Sequence, residues 1–201
     1  MIQAVIFDIG GVLIRTEDHA PRRQLEERLG LAPGVAEFIV FNSDAGLRTQ
    51  RGEFTEEENW LRVQAELGLS DADLADFRRE FWAGDKLDCD LIDYIRRLHG
   101  GYQTAIISNA MPGLMALVNG KYLIADAFDV IVGSGDVKVA KPDPAIFHLT
   151  LAQLGRRPEE AIFIDDSPTN IQGAQAVGLH TIHYTRGTDI PAALAQYGVN
   201  V

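Results

Sequence analysis

Short apolar runs that recur between helical stretches constrain this chain more than any other feature. Val5-Ile6-Phe7, Thr104-Ala105-Ile106-Ile107, Phe128-Asp129-Val130-Ile131-Val132 and Ala161-Ile162-Phe163-Ile164 are too short for helices and end in turn signals. A fifth run, Leu179 to Tyr184, alternates apolar and polar residues as an edge strand does. Helical patterns fill residues 112–120, 143–154, 168–177 and 190–197. Buried strands alternating with helices predict an α/β fold, a Rossmann-like doubly wound parallel sheet with helices on both faces.

The stretch between Leu13 and the second run is far longer than a right-handed crossover needs. After a polar turn from Arg15 to Pro21 its signals are helical. Thr55 with Glu58 and Ser70 with Asp73 read as capping boxes, each satisfying orphan amides at a helix start. Trp60, Leu61 and Leu67 are expected on one face before Gly68 ends the helix. Leu74, Phe77, Phe81 and Trp82 form an aromatic stripe best read as core packing. A further helix, Asp90 to Leu98, points Leu91, Ile92, Ile95 and Leu98 inward. The expected organisation is an α/β core, residues 1–16 and 86–201, with a helical cap subdomain, residues 17–85, inserted after strand 1.

Bulk properties narrow the function. A net charge of −11 offers no broad basic field, so a nucleic-acid binder is not expected. No apolar run approaches the ~18 residues of a membrane span, and none is expected to cross a membrane. The single cysteine, Cys89, rules out an intrachain disulfide framework and is expected to be packing rather than a nucleophile. The start of the chain lacks the basic and long apolar regions of a secretion signal, and a cytoplasmic protein is expected.

In a parallel sheet the carboxyl ends of all strands share one edge, where open α/β sheets place their chemistry. Asp8 follows the first run, Ser108 the second and Asp165-Asp166 the fourth, while Lys141 sits in the turn-rich segment after the third. Three carboxylates, a hydroxyl and an ammonium are therefore expected to converge on one crevice. Clustered carboxylates repel unless a cation shares the site, and a hard divalent ion such as Mg2+ meets that need beside a phosphate. Lys141 would place its charge on a phosphate oxygen or on the nucleophile. The Ser108 hydroxyl, with Asn109 beside it, would hold further phosphate oxygens, and Gly10 and Gly11 let backbone approach closely. Asp8 is then free to attack phosphorus, as carboxylate nucleophiles do.

Phe7-Asp8-Ile9-Gly10-Gly11-Val12-Leu13, Ile107-Ser108-Asn109, Lys141-Pro142-Asp143-Pro144-Ala145-Ile146-Phe147 and Phe163-Ile164-Asp165-Asp166-Ser167 with Asn170 resemble, in order and spacing, the four motifs of the haloacid dehalogenase-like hydrolase superfamily. The resemblance covers nearly the whole chain, includes a helical cap between the first two motifs, and is nearest to small sugar-phosphate phosphatases. It implies Asp8 as nucleophile, Ser108 and Lys141 as phosphate-binding groups, Asp166 as a metal ligand, Asp165 beside the metal directly or through water, and the Gly10 carbonyl as a further ligand. The implied activity is a Mg2+-dependent phosphatase acting on a small phosphorylated metabolite, a sugar phosphate foremost. One position departs from the pattern: Gly10 stands where the phosphatases carry an acid–base aspartate, a role worth about 10²–10⁴-fold in rate. Either the substrate has an acidic leaving group, an anomeric or aryl hydroxyl, or Asp18 or His19 reaches in; the first is preferred. The alternatives are a non-catalytic phosphate-ligand or partner-binding protein and, further off, a 2-haloacid dehalogenase, which would set a carboxylate substrate against uncompensated Asp165 and Asp166.

Overall fold

The computed structural model describes residues 1–201. In chain order its elements are β1 (Ala4–Phe7), β2 (Ile14–Thr16), α1 (Ala20–Arg28), α2 (Val35–Glu37, continued by the π-helical Phe38–Asn42), α3 (Asp44–Gln50), α4 (Glu56–Leu67), α5 (Asp71–Phe81) and β3 (Asp85–Leu87). There follow α6 (Cys89–Leu98), β4 (Gln103–Ser108), α7 (Leu114–Ala116, continued by the π-helical Leu117–Tyr122), β5 (Val130–Gly133) and α8 (Ser134–Val137). The chain ends with α9 (Pro144–Leu154), β6 (Ala161–Asp165), α10 (Pro168–Ala176), β7 (His180–His183) and α11 (Ile190–Ala195).

Five strands pair in parallel in the order β5-β4-β1-β6-β7, with β7 at an edge as its alternation predicts. Strand β1 is buried at every residue because both faces are covered. Its Val5 and Phe7 enter one core with Ile92, Ile95 and Leu98 of α6. Its Ala4 and Ile6 enter a second core with Ile146, Phe147 and Leu151 of α9. The two-residue period of a strand thus places helices on both sides of the sheet. Phe7 lies opposite Ile106 of β4 and Ile164 of β6. One residue further on, Asp8 and Asp165 leave the sheet side by side.

Between β2 and β3, helices α1 to α5 close around a third core that includes Trp60, Val63, Leu74, Phe77 and Phe81. Both capping boxes form, at Thr55/Glu58 and Ser70/Asp73. Phe77 stacks on Phe81 and Trp60 meets both edge-on, so the aromatic stripe is largely packing. No helix is long and apolar enough to cross a membrane.

Four local expectations are corrected. The polar segment after Leu13 is not simply a turn: Ile14-Arg15-Thr16 pairs antiparallel with Asp85-Lys86-Leu87, and Thr16 Oγ1 donates to Asp85 Oδ1 at 2.7 Å. Such short polar strands exist only through a partner about seventy residues away, which local pattern cannot register. Leu61 is 53% exposed, because helical geometry turns it away from the inward face that Trp60 and Val63 share. Cys89 is exposed on the first turn of α6 rather than packed. The helix expected at 112–120 begins after Gly113 and widens into a π-helix through Tyr122.

Candidate active site

Asp8 is buried at the end of β1, where Oδ1 accepts from Ile9 N at 2.7 Å and from Lys141 Nζ at 2.8 Å. Those bonds leave Oδ2 free. Lys141 is no solvated loop charge: its side chain is fully buried, and Nζ also donates to Ile107 O at 2.9 Å and Asp165 Oδ2 at 2.6 Å. Its backbone is gripped by Asn109, whose Nδ2 donates to Lys141 O at 2.9 Å while Oδ1 accepts from Lys141 N at 2.8 Å. The sequence suggested that Asn109 faces a phosphate. Its side-chain amide is instead committed to Lys141, so it orients the lysine.

Asp165 is fully buried, and both its oxygens are engaged. Oδ2 takes Lys141, Oδ1 takes Ser167 N at 2.8 Å, and Asn170 Nδ2 lies 3.1 Å from each. Asp166 is exposed to the crevice. Asp8, Asp165 and Asp166 each offer one oxygen, and these three atoms lie within 4.8 Å of one another. Burial pushes the Asp8 carboxyl up to about 6, against the pull of Lys141 and with the help of Asp165. Partial burial, followed by the charge of Asp165, also raises Asp166. Burial is the chief cause at both carboxyls and the charge of Asp165 adds to it, so a cation placed among them would favour their ionised forms.

The turn leaving β1 is closed by bonds from Val12, Leu13 and Ile14 N to Ile9 O and from Gly11 N to Ile14 O, none of which uses Gly10 O. Gly11 adopts φ +75°, and a Cβ there would stand 2.0 Å from Asp166 Oδ2. Gly10 has no such constraint: nothing lies within 4 Å of the Cβ it lacks. Ser108 is buried at the end of β4 and, with Gly10, Gly11, Asn109 and Asp166, lines a cavity of about 1180 Å³ between the sheet edge and the helical insertion. His19 also lines it, while Asp18 Oδ1 accepts from Ala20 N as an ordinary turn polar. Phe41, Trp82 and Met111 contribute walls that local sequence pattern did not aim. Lys138 is exposed and does not line the cavity.

Residues 2–178 match the sequence model of the haloacid dehalogenase-like hydrolases. The chain belongs to that family. Among curated relatives of this haloacid dehalogenase-like hydrolase, acyl-CoA dehydrogenase family member 10 of Mus musculus is 30% identical over 207 residues, covering 92% of this chain but only 18% of that protein. Phosphoglycolate phosphatase of Pectobacterium atrosepticum is 36% identical over 94 residues, 47% of this chain and 40% of that enzyme. The chain therefore spans less than half the length of these two. A sesquiterpene phosphatase of Aspergillus oryzae is 26% identical over 91% of this chain and 90% of its own. Among solved structures, a predicted family hydrolase from Porphyromonas gingivalis superposes with TM-score 0.80 and 26% identity over the full length of both chains. A family enzyme from Bacteroides thetaiotaomicron, crystallised with magnesium and inorganic phosphate, shares the fold at TM-score 0.80 and 24% identity, covering 96% of this chain and 99% of its own. L-2-haloacid dehalogenase from Xanthobacter autotrophicus follows at TM-score 0.65 and 26% identity, covering 98% and 82%.

Proposed function

We propose that this haloacid dehalogenase-like hydrolase is a Mg2+-dependent phosphatase of small phosphomonoesters that works through an aspartyl-phosphate on Asp8. The observation that carries the reading is the free Oδ2 of Asp8 beside a buried lysine and two further carboxylates. The donor set fits a hard divalent cation: Asp8 and Asp166 offer carboxylate oxygens, the Gly10 carbonyl is unused, and Asp165, fully engaged, would act through water. When bound, the cation neutralises phosphate charge and polarises phosphorus.

The residues do the remaining work. Lys141 keeps Asp8 ionised and aims it through Oδ1, while Asn109 and Asp165 fix Lys141. The Ser108 hydroxyl and turn amides hold phosphate oxygens. Oδ2 attacks phosphorus, and the bond to the ester oxygen breaks with its electron pair leaving on the alcohol. Water then attacks the aspartyl-phosphate and releases phosphate and the Asp8 carboxylate. With Gly10 supplying no proton, the site suits an alcohol acidic enough to leave unaided, an anomeric hydroxyl of a sugar or a phenol, and His19, which also lines the cavity, is the other source of a proton. Residues 17–85 act as a cap on the core formed by 1–16 and 86–201. The lone, exposed thiol of Cys89 fits a cytoplasmic setting.

A dehalogenase is disfavoured because that reaction brings no cation to the site, so a haloacid carboxylate would meet Asp8, Asp165 and Asp166 with Lys141 alone to offset them. The test is hydrolysis of p-nitrophenyl phosphate and a phosphomonoester panel with Mg2+. Turnover abolished by EDTA and by Asp8→Asn supports the reading. Binding of phosphate without turnover of any ester would make the chain a phosphate-ligand binder, and turnover that survives Asp8→Asn would end the proposed mechanism.

A further inference from the structure

The cavity beside the candidate catalytic groups is lined by Gly10, Gly11, Ser108 and Asp166 and reaches into the helical insertion, and apolar and aromatic side chains form part of its wall. Phe41 and Trp82 enter it from the insertion, edge to face at 5.7 Å between ring centroids. Met111 packs against that same aromatic cluster from the core side, and Leu114 and Leu117 extend the wall along α7. Leu117 is 38% exposed, an aliphatic side chain facing the opening rather than a core. At about 1180 Å³ the cavity exceeds what a drug-sized ligand usually occupies, so a bulky organic group is accommodated.

Several of the charged and amide groups along the same cavity are already engaged. Arg22 pairs with Glu37 at 3.0 Å and Asp85 at 3.3 Å, and its guanidinium lies over the Phe81 ring. Arg15 pairs with Glu17 at 2.9 Å and Asp88 at 2.8 Å. Arg78 pairs with Glu57 at 2.9 Å, and Gln50 Nε2 donates to Phe41 O at 2.7 Å. A polyol recognised through these arginines or Gln50 would have to break such pairs, whereas a ring needs only the wall.

The second observation is chemical and independent. Gly10 gives the departing oxygen no proton donor, and the space where its side chain would stand is open to 4 Å. A leaving group that stabilises its own negative charge needs no such donor; a phenolate does so by delocalisation and an alkoxide does not. From this convergence we infer that the substrate is an aryl phosphomonoester, its ring held against Trp82, Phe41 and Leu117 and its phosphate at Asp8. The inference rests on the phosphatase reading and chooses the phenol over the anomeric sugar hydroxyl.

The experiment compares kcat/KM, with Mg2+ present, for 2-naphthyl, phenyl and cyclohexyl phosphates, glucose 1-phosphate and acetyl phosphate. Acetyl phosphate has an acidic leaving group without a ring. The expected order places 2-naphthyl above phenyl by about tenfold, from the added buried ring area, and phenyl above cyclohexyl by about 10²-fold or more, from leaving-group acidity. Trp82→Leu, which keeps an apolar side chain, and Leu117→Ser at an exposed position should each lower the ratio of 2-naphthyl to acetyl phosphate kcat/KM by about tenfold, chiefly through KM. Glucose 1-phosphate turned over faster than both aryl esters, or a ratio unmoved by both variants, overturns the aryl assignment and leaves the phosphatase intact. No hydrolysis of any ester, acetyl phosphate included, fails the phosphatase reading itself and takes the aryl assignment with it.

Discussion

Replacing Asp8 by asparagine should abolish turnover and, in the absence of divalent metal, make the protein more stable. The folded carboxyl is held near 6 against an ordinary value of 3.8, burial being the chief cause, Lys141 opposing it and Asp165 adding to it. That displacement corresponds to about 3 kcal/mol between the protonated and ionised forms. The sign follows from proton binding. The folded state holds this proton more tightly than the unfolded state, so the contribution is complete below the unfolded value, falls as pH rises through about 4 to 6, and is lost above that. The asparagine side chain stays neutral at every pH. In EDTA at pH 7.5, urea unfolding should therefore place Asp8→Asn above the natural protein by about 2–3 kcal/mol, with the gap closing near pH 4. Millimolar Mg2+ should reverse the order by stabilising only the natural protein. An Asp8→Asn variant no more stable than the natural protein in EDTA at pH 7.5 would refute the electrostatic account of the site.

Gly10→Asp meets no atom within 4 Å at its Cβ, so the protein should fold normally and gain rate on alkyl phosphates by about 10²-fold, with much less gain on aryl esters; an equal gain on both defeats the leaving-group argument. Gly11→Ala places a methyl 2.0 Å from Asp166 Oδ2 at φ +75°, and should cost about 1 kcal/mol or more in urea unfolding together with most of the Mg2+-induced stabilisation. Asn109→Ala removes both side-chain bonds to the Lys141 backbone, and steady-state kinetics should show kcat lowered by about tenfold or more with KM little changed. Trp60→Ala leaves a hole in the fully buried centre of the insertion and should cost about 3–5 kcal/mol, read by chemical unfolding.

The sheet was legible because its strands are local and unambiguous. Ala161 to Ile164 is apolar at every position and stops at two aspartates, and nothing in its neighbourhood competes with that reading. The capping boxes at Thr55 and Ser70 were legible for the same reason, since each is completed within four residues. What depended on distant partners was not. Strands β2 and β3 form only by meeting each other, and Asn109 could not reveal that its amide closes on a backbone 32 residues away. The cavity wall was hidden for a related reason. Trp82 belongs by spacing to the packed stripe of α5, yet it lies just past the helix end, half-buried, where it reaches the crevice.

Gly10 and Gly11 show why adjacent, identical residues need separate arguments. The backbone at Gly11 turns left-handed and passes so close to Asp166 that a side chain there would displace a carboxylate of the site. That glycine is required by geometry, whatever the reaction. Gly10 has an ordinary φ and open space beside it, so no steric reason excludes a side chain. Its bareness therefore has a chemical consequence rather than a structural cause: the site can hold charge through Asp8, Lys141 and the carbonyl of Gly10, but it gives no proton at that point. The demand for a stable anion passes to the substrate, and the aromatic pair Phe41 and Trp82 in the same cavity is where the structure can hold a group that meets it.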